Sequence, residues 1–129
     1  MPDSGTTTRI TSMRTVGVPV RDQDRALEFY TGILGLAKTL DVDLGGGSRW
    51  IELTPAGGGT TIALVSAKPG APAEVETGIR LSTPDADAVH AHLLEHGVSA
   101  DEVLRWPGVP PMFAFRDQDG NGLEIVQDA

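Results

Sequence analysis

Hydrophobic side chains recur at every second position in several short segments of the chain, a pattern that predicts β-strands with one buried face. The first such segment contains Val16, Val18 and Val20. An amphipathic segment with apolar positions at helical spacing follows over roughly residues 23–34, and Asp22 stands where its N-cap is expected. The pattern therefore predicts that the fold begins with a strand and a helix.

The same pattern occurs a second time, 63 positions further along the chain. The two copies place the following residues over one another: Val16 and Ile79, Val18 and Leu81, Asp22 and Asp85, Asp24 and Asp87. In the second copy Thr83 is the predicted N-cap and Pro84 the predicted first helical residue. The apolar positions of this helix are predicted to be buried: Ala86, Val89 and Leu93.

Three candidate strands follow each predicted helix: 37–43, 49–54 and 61–66, then 101–106, 112–116 and 122–127. The chain is therefore predicted to be an α+β protein built from two βαβββ modules, 14–67 and 76–127. Both modules belong to a single predicted domain over residues 14–127. Residues 1–13 are predicted to be a flexible lead-in.

Strand parity divides the predicted strands into two faces. One face is apolar throughout and must lie under the helices: Val16, Val18, Val20, Ile51, Leu53, Ile62, Leu64, Ile79, Leu81, Phe113, Phe115, Leu123 and Ile125. The other, which we call the mixed face, combines aromatic, small and oppositely charged residues: Thr15, Gly17, Trp50, Glu52, Ala63, Val65, Gly78, Arg80, Ser82, Met112, Ala114, Arg116, Glu124 and Val126. Such a mixture is typical of a surface that lines a ligand cleft, although a dimer interface would produce it too.

The composition is that of an acidic globular protein. The 129 residues carry a formal net charge of −8, with 40% hydrophobic and 22% charged residues. Because this charge repels phosphate groups, we expect neither nucleic acid nor a membrane surface as a partner. The absence of cysteine excludes disulfides and thiolate chemistry. Residues 1–13 contain neither the apolar region of a signal peptide nor a transmembrane run, so we expect a cytoplasmic protein.

The segment DQDGNG at 117–122 begins like the calcium-binding loop of an EF-hand. The twelfth position of that loop would be Asp128, which only Ala129 follows, and two prolines precede the segment where the entry helix would have to lie. Asp-Gly and Asn-Gly are also tight-turn dipeptides between two apolar runs. The sequence therefore predicts a β-hairpin turn that places Glu124 on the last strand.

Two segments resemble the vicinal-oxygen-chelate superfamily, which includes glyoxalase I, bleomycin-resistance proteins and extradiol dioxygenases. They are VPVRDQDRALEFYTGILGL at 18–36 and FRDQDGNGLEIV at 115–126. Together with the duplicated βαβββ order, the resemblance extends over about residues 14–127. It implies that the two modules form an incomplete barrel around one cleft, commonly in a homodimer.

In metal-dependent members of that superfamily, four side chains on the first and last strands of the modules hold a divalent cation. The resemblance places these positions at Thr15, Ala63, Gly78 and Glu124, and only Glu124 is a usual ligand. A catalytic divalent site needs about three protein ligands, so we expect no metal cofactor. The alternative is a hydrated divalent cation held by Glu52 and Glu124, which competes with neutralisation of these carboxylates by arginine.

The mixed face and the adjoining proline-rich loop supply the candidate ligand-binding residues: Trp50, Glu52, Arg80, Trp106, Met112, Arg116 and Glu124. The aromatic and methionine side chains would stack on a ligand, or else pack in the core or against a second subunit. Glu124 is the candidate catalytic carboxylate, and its alternative is an ion pair with an arginine on the same face. All three histidines are predicted on the outside of the second helix: His90, His92 and His96.

The residues and the resemblance lead to three hypotheses. The first is a metal-independent protein that binds a small apolar or aromatic molecule, in the way that a bleomycin-resistance-like protein sequesters a natural product. The second is a glyoxalase-like lyase, isomerase or epimerase in which Glu124 or Glu52 is the general base, with or without a divalent metal. The third is a dimeric interaction module whose mixed face is the subunit interface.

Overall fold

The computed structural model describes residues 8–68 and 72–128. Within them the chain forms seven strands, two α-helices and one π-helical segment: β1 (Thr15–Val20), α1 (Gln23–Leu27), the π-helical segment (Glu28–Ile33), β2 (Ala37–Gly45), β3 (Ser48–Thr54), β4 (Thr61–Ser66), β5 (Glu76–Thr83), α2 (Ala86–Glu95), β6 (Met112–Arg116) and β7 (Gly122–Gln127). No described helix combines the length and the apolar character that a membrane span requires.

The strands form two separate sheets. The first sheet has the order β1-β4-β3-β2 and the second has the order β5-β7-β6. In each sheet the strand before the helix is parallel to the last strand of the module, β1 to β4 and β5 to β7, and the remaining pairs are antiparallel. The predicted α+β class with two related modules is therefore confirmed, with two open sheets.

The first helix begins where the sequence predicts it. Asp22 accepts hydrogen bonds from the backbone N–H groups of Asp24 and Arg25, at 3.0 and 3.1 Å, as an N-cap does. The segment predicted as one α-helix over 23–34 changes to π-helical geometry at Glu28. This widened turn directs both Phe29 and Tyr30 into the core.

The second helix begins two residues later than predicted. Asp85, not Thr83, is the N-cap, and its carboxylate accepts a hydrogen bond from Ala88 N at 3.0 Å. Thr83 is instead the last residue of β5, and its hydroxyl accepts from Asp85 N at 3.3 Å. The helix buries Ala86 and Leu93 as predicted, whereas Val89 is only half-buried.

The strand predicted at 101–106 does not form. Residues 100–104 meet β6 at two isolated bridges, Ala100 with Phe115 and Leu104 with Met112. The segment after Arg105 contains three prolines and a glycine, and prolines cannot donate to a strand ladder. The second sheet consequently has three strands, and residues 101–111 form a loop along its edge.

Both sheets bury their apolar face in one core that the two modules share. The rings of Phe29, from the first module, and Phe115, from β6, stack with centroids 6.5 Å apart. Thirteen positions were predicted on this face; most are buried, whereas Val16, Ile79 and Leu81 are half-buried. Because the same cluster contains the helices and the apolar faces of both sheets, each sheet turns its mixed face away from the shared core.

The DQDGNG segment forms the hairpin turn between β6 and β7, as predicted, and it also joins the two modules. The buried carboxylate of Asp117 accepts a hydrogen bond from the Tyr30 hydroxyl at 2.7 Å and from the Asn121 side-chain amide at 2.9 Å. Asn121 is fully buried and also donates to Pro19 O at 2.9 Å. Protein donors satisfy this carboxylate, so the turn is an inter-module contact rather than a calcium loop.

Candidate functional site

On the first sheet, Trp50 and Glu52 of β3 form the centre of the mixed face. Trp50 Nε1 donates a hydrogen bond to Glu52 Oε2 at 2.7 Å. Thr61 Oγ1 donates to Glu52 Oε1 at 3.0 Å, and the Arg14 guanidinium lies 3.3 Å from Oε2. Glu52 is only 4% exposed, so the side chains of Trp50, Thr61 and Arg14 determine the state of a buried carboxylate.

These contacts keep Glu52 ionised. The hydrogen bond from Trp50 is the largest cause that lowers the pKa of Glu52, and Thr61 and Arg14 lower it further against the opposing effect of burial. A carboxylate with a lowered pKa is a weak proton acceptor at neutral pH. Glu52 is therefore better suited to hold a charge or a hydrogen bond than to act as a general base.

The structure adds an apolar strip that the sequence prediction missed. Leu40 pairs with Glu52 and Val42 pairs with Trp50, so these side chains of β2 extend the mixed face. They are 37% and 46% exposed, and Leu44 at the end of the same strand is 61% exposed. The alternation of Leu40, Val42 and Leu44 with Asp41 and Asp43 was the available signal, but alternation alone does not say which face is buried.

The opposite face of β2 carries charged side chains, and their ion pairs explain how this strand is oriented. Asp41 Oδ2 accepts from Arg49 at 2.8 Å and from Lys38 at 3.0 Å, and Arg49 also binds Asp24 of α1 at 2.6 Å. The hydrogen bonds from Arg49 hold the pKa of Asp41 well below its usual range. Because this ion-pair network occupies the helix side of the strand, the leucines and valine of β2 face the other way.

On the second sheet, Arg80 and Glu124 are cross-strand neighbours on the mixed face. Arg80 Nε lies 2.9 Å from Glu124 Oε1, so Glu124 forms the ion pair that is its predicted alternative role. Arg116 forms an ion pair with Glu76 of β5, which raises the pKa of Arg116, and donates to Gly120 O at 3.3 Å. A catalytic role of Glu124 stays a prediction.

The remaining candidates lie at the edge of the second sheet. Met112 is half-buried in β6, and Trp106 in the adjoining loop is 65% exposed. Two further apolar side chains of that loop are also exposed: Leu104 and Val109. The loop therefore presents a small apolar surface next to Met112, which the sequence predicted only for Trp106.

Within one chain, the predicted ligand residues form two sets rather than one cleft. Trp50 and Glu52 belong to the first sheet; the second sheet and its loop carry the others: Arg80, Trp106, Met112, Arg116 and Glu124. The two mixed faces both point away from the shared core. Among the described residues, each set therefore lies on its own sheet.

The four family metal positions do not fit a cation. Thr15 Oγ1 already donates to Thr61 O at 3.3 Å, and Ala63 and Gly78 offer no side-chain donor. Glu124 is paired with Arg80. In residues 8–68 and 72–128, no group of three His, Cys, Asp or Glu side chains is arranged to hold a metal. Glu52 and Glu124 lie in different sheets, each beside its own arginine.

Each of the three histidines of helix α2 has a ring nitrogen beside a backbone carbonyl oxygen of α2 or of a neighbouring segment. His90 Nε2 lies 2.9 Å from Asp101 O, and His92 Nε2 lies 2.9 Å from Ile33 O at the end of the π-helical segment. His96 Nδ1 lies 2.9 Å from His92 O. His92 and His96 are exposed, as predicted, while His90 is half-buried against the edge of Phe113.

A large cavity lies between the modules, and Gly78, Arg80 and Ser82 of the mixed face are part of its lining. It measures about 1120 Å³ and is lined by the end of the π-helical segment, α2 and the consecutive residues Thr77–Thr83 of β5. Its apolar wall includes Val16, Ile79 and Leu81, the side chains of the apolar face that are only half-buried. Of the predicted ligand residues only Arg80 borders it.

Comparison with known proteins agrees with this architecture. Residues 12–125 match the Glyoxalase/Bleomycin resistance protein/Dioxygenase superfamily. TnmS3, an antibiotic binding protein from Streptomyces sp. CB03234, is 31% identical, with a TM-score of 0.80 over 95% of this chain and 99% of that one. A superfamily member from Sphaerobacter thermophilus DSM 20745 is also 31% identical, with a TM-score of 0.84 over 92% of this chain and 98% of that one.

A curated relative is similar at the sequence level. The uncharacterised protein YurT of Bacillus subtilis (strain 168) is 33% identical in an alignment of 118 positions that covers 84% of this chain and 92% of YurT. The matched region spans both modules, and the two-sheet fold accounts for the likeness to the solved structures. The chain therefore belongs to the glyoxalase/bleomycin resistance protein/dioxygenase superfamily, the vicinal-oxygen-chelate family that its sequence resembles.

Proposed function

We propose that this protein binds a small apolar or aromatic molecule on its mixed face, without a metal, and sequesters it in the cytoplasm. The observation that carries the proposal is the 2.7 Å hydrogen bond from Trp50 to Glu52, because it holds an indole ring in one orientation beside exposed Val42. A fixed aromatic ring beside aliphatic side chains suits a planar apolar ligand. The antibiotic binding described for TnmS3 supports the same class of function.

Fluorescence titration with anthracenemethanol, a neutral planar probe, tests this proposal. Replacing Trp50 by Ala removes the stacking surface, so we expect about a tenfold weaker affinity, as for a central aromatic contact. Leu94→Ala is the matched control, because Leu94 is 51% exposed on α2, on the helix side of the sheets. An unchanged affinity in a Trp50→Ala, Trp106→Ala double variant would exclude the proposed aromatic site.

A homodimer is the second part of the proposal. The outer edges of β1 and β5 have no strand partner among the described residues, and the large inter-module cavity adjoins the edge of β5. A second copy that pairs with these edges would place its second sheet beside the first sheet of its partner, so that Trp50 and Glu124 of different copies share one cleft. Light scattering across a range of protein concentrations tests it, and a monomer throughout would contradict it.

The alternative function is a lyase, isomerase or epimerase that uses Glu124 as general base. The observation that favours it is the Arg80–Glu124 pair at 2.9 Å, since an arginine beside a base can stabilise an enolate. Solvent deuterium incorporation into small carbonyl substrates, followed by NMR, is the direct test. We expect incorporation to be lost in Glu124→Gln if the enzyme hypothesis holds, and the same background rate in both proteins if it does not.

A further inference from the structure

A second cavity lies at the end of the first sheet, with Glu52 in its wall. It measures about 560 Å³, and its lining includes Arg14, Thr60 and Thr61 as well as Glu52. Thr61 and Glu52 lie on the mixed face, and so the cavity adjoins the surface that carries Trp50. A buried carboxylate therefore borders both this open space and the proposed ligand surface.

Two internal donors hold this carboxylate in place without any help from Arg14. Trp50 Nε1 and Thr61 Oγ1 bind different oxygens of Glu52, at 2.7 and 3.0 Å. Both donors belong to strands of the first sheet, so their positions are set by the strand ladder. Neither donor is charged, and the negative charge of Glu52 consequently needs a cation to balance it.

Arg14 supplies that cation, but it is held loosely. Its side chain is 75% exposed, and its Nη2 lies 3.3 and 3.5 Å from the two oxygens of Glu52, further away than the internal donors. An exposed arginine at such distances contributes little to stability and is readily displaced. The guanidinium therefore marks a position where a positive charge is favoured and can be exchanged.

The surroundings of this position suit a particular kind of ligand. Trp50 offers an aromatic ring next to the carboxylate, and rings of this kind attract ammonium groups. Leu40 and Val42 lie opposite Glu52 and Trp50 on the neighbouring strand and are exposed. The formal net charge of −8 favours the approach of a cation over that of an anion.

We propose that Glu52 and Trp50 form a subsite for the protonated amine of a ligand with an apolar or aromatic body, and that Arg14 occupies this subsite until the ligand displaces it. The ammonium group binds the Glu52 carboxylate, and the body of the ligand lies over Trp50 and Val42. The inference rests on the proposed binding of a small apolar or aromatic molecule, and it adds the charge of that molecule.

Two probes of matched shape test this inference at neutral pH: aminomethylanthracene, which is cationic, and anthracenemethanol, which is neutral. In the wild-type protein we expect the amine to bind about tenfold more tightly, the value of one charge-assisted hydrogen bond. In Glu52→Gln, which keeps an oxygen for Trp50 or Thr61, we expect the preference to disappear. Thermal unfolding and tryptophan emission verify that this variant is folded.

Arg14→Ala provides a second, independent variant. Because Arg14 competes with the ligand for Glu52, its removal is expected to tighten binding of the amine about threefold and to leave the neutral probe unchanged. If Arg14 is only a structural partner of Glu52, the amine instead binds no better in this variant, and that result overturns the inference.

The outcomes separate the two proposals. If both probes bind equally to the wild-type protein, the aromatic surface stands and the ammonium subsite is wrong. If Glu52→Gln weakens both probes by the same factor, Glu52 only orients Trp50, and the subsite is again wrong. If neither probe binds, the proposed function fails together with the inference.

Discussion

The hydroxyl of Tyr30 donates a hydrogen bond of 2.7 Å to the buried carboxylate of Asp117, which joins the π-helical segment of the first module to the β6–β7 turn of the second. The two residues are 87 positions apart in the chain. Because the sheets share no backbone hydrogen bond among the described strands, side-chain contacts of this kind and the common core hold the modules together.

Removing this hydrogen bond should destabilise the whole protein. Tyr30→Phe leaves the Asp117 carboxylate buried with one donor fewer, and we expect a loss of about 1–3 kcal/mol in the free energy of unfolding. Denaturant unfolding measures it. Thr39→Val is the control, since it removes the exposed hydroxyl contact to Thr54, and we expect a change within about 0.5 kcal/mol. Equal effects of the two substitutions would contradict the assigned role of Tyr30.

The burial of Tyr30 also leads to a prediction of how the stability of the folded protein changes at alkaline pH. Burial, followed by the charge of Asp117, raises the pKa of Tyr30 far above its ordinary value of 10.0. The folded state therefore favours the neutral phenol; this stabilisation is complete below pH 10.0 and is lost progressively as the pH rises above it. Because Tyr30 is the only tyrosine, its ultraviolet absorbance reports it alone. Tyrosinate should appear together with the loss of circular dichroism, and its appearance in the folded protein would contradict the prediction.

Gly78 stands at a family metal position and requires its left-handed backbone conformation. Its φ is +73°, and nothing lies within 4 Å of the place where a Cβ would stand. Gly78→Ala should therefore cost about 1–2 kcal/mol through backbone strain alone. In Gly17→Ala the new Cβ meets Val65 at 3.4 Å, an ordinary contact, and we expect a smaller change. Thermal unfolding of both variants checks the difference, and equal costs would refute the strain argument.

Metal addition should leave the mixed face unaffected. With Glu124 bound to Arg80 and no donor at Ala63 or Gly78, we expect no thermal shift on adding Mg²⁺, Mn²⁺ or Fe²⁺ to protein purified without a tag. A shift with Zn²⁺ or Ni²⁺ that disappears in His92→Ala would come from the exposed pair of His92 and His96 on α2. A shift that disappears in Glu124→Gln would contradict the metal-independent function and support the enzyme hypothesis.

Local patterns predicted the strands well where each strand has one buried face. The bounds of β6 and β7 agree with the predicted 112–116 and 122–127. Apolar side chains at every second position share one buried face only when the segment is a strand. The prediction was wrong for 101–106, where Val103 is only half-buried and the segment meets β6 at an isolated bridge, Leu104 with Met112, just before the prolines at 107, 110 and 111. It was also wrong for the cap of α2, since Thr83 and Asp85 are both good N-cap residues and only the end of β5 decides between them.

The sequence by itself determined the superfamily, the two-module order and the apolar face of every strand except β2, because these depend on residue type and on spacing between near neighbours. Only the tertiary structure decided that β2 turns Leu40 and Val42 outwards, that Trp50 is anchored to Glu52, and that both sheets turn their mixed faces away from one shared core. These features depend on how distant segments pack, and the alternation of a strand is the same whichever of its faces is buried.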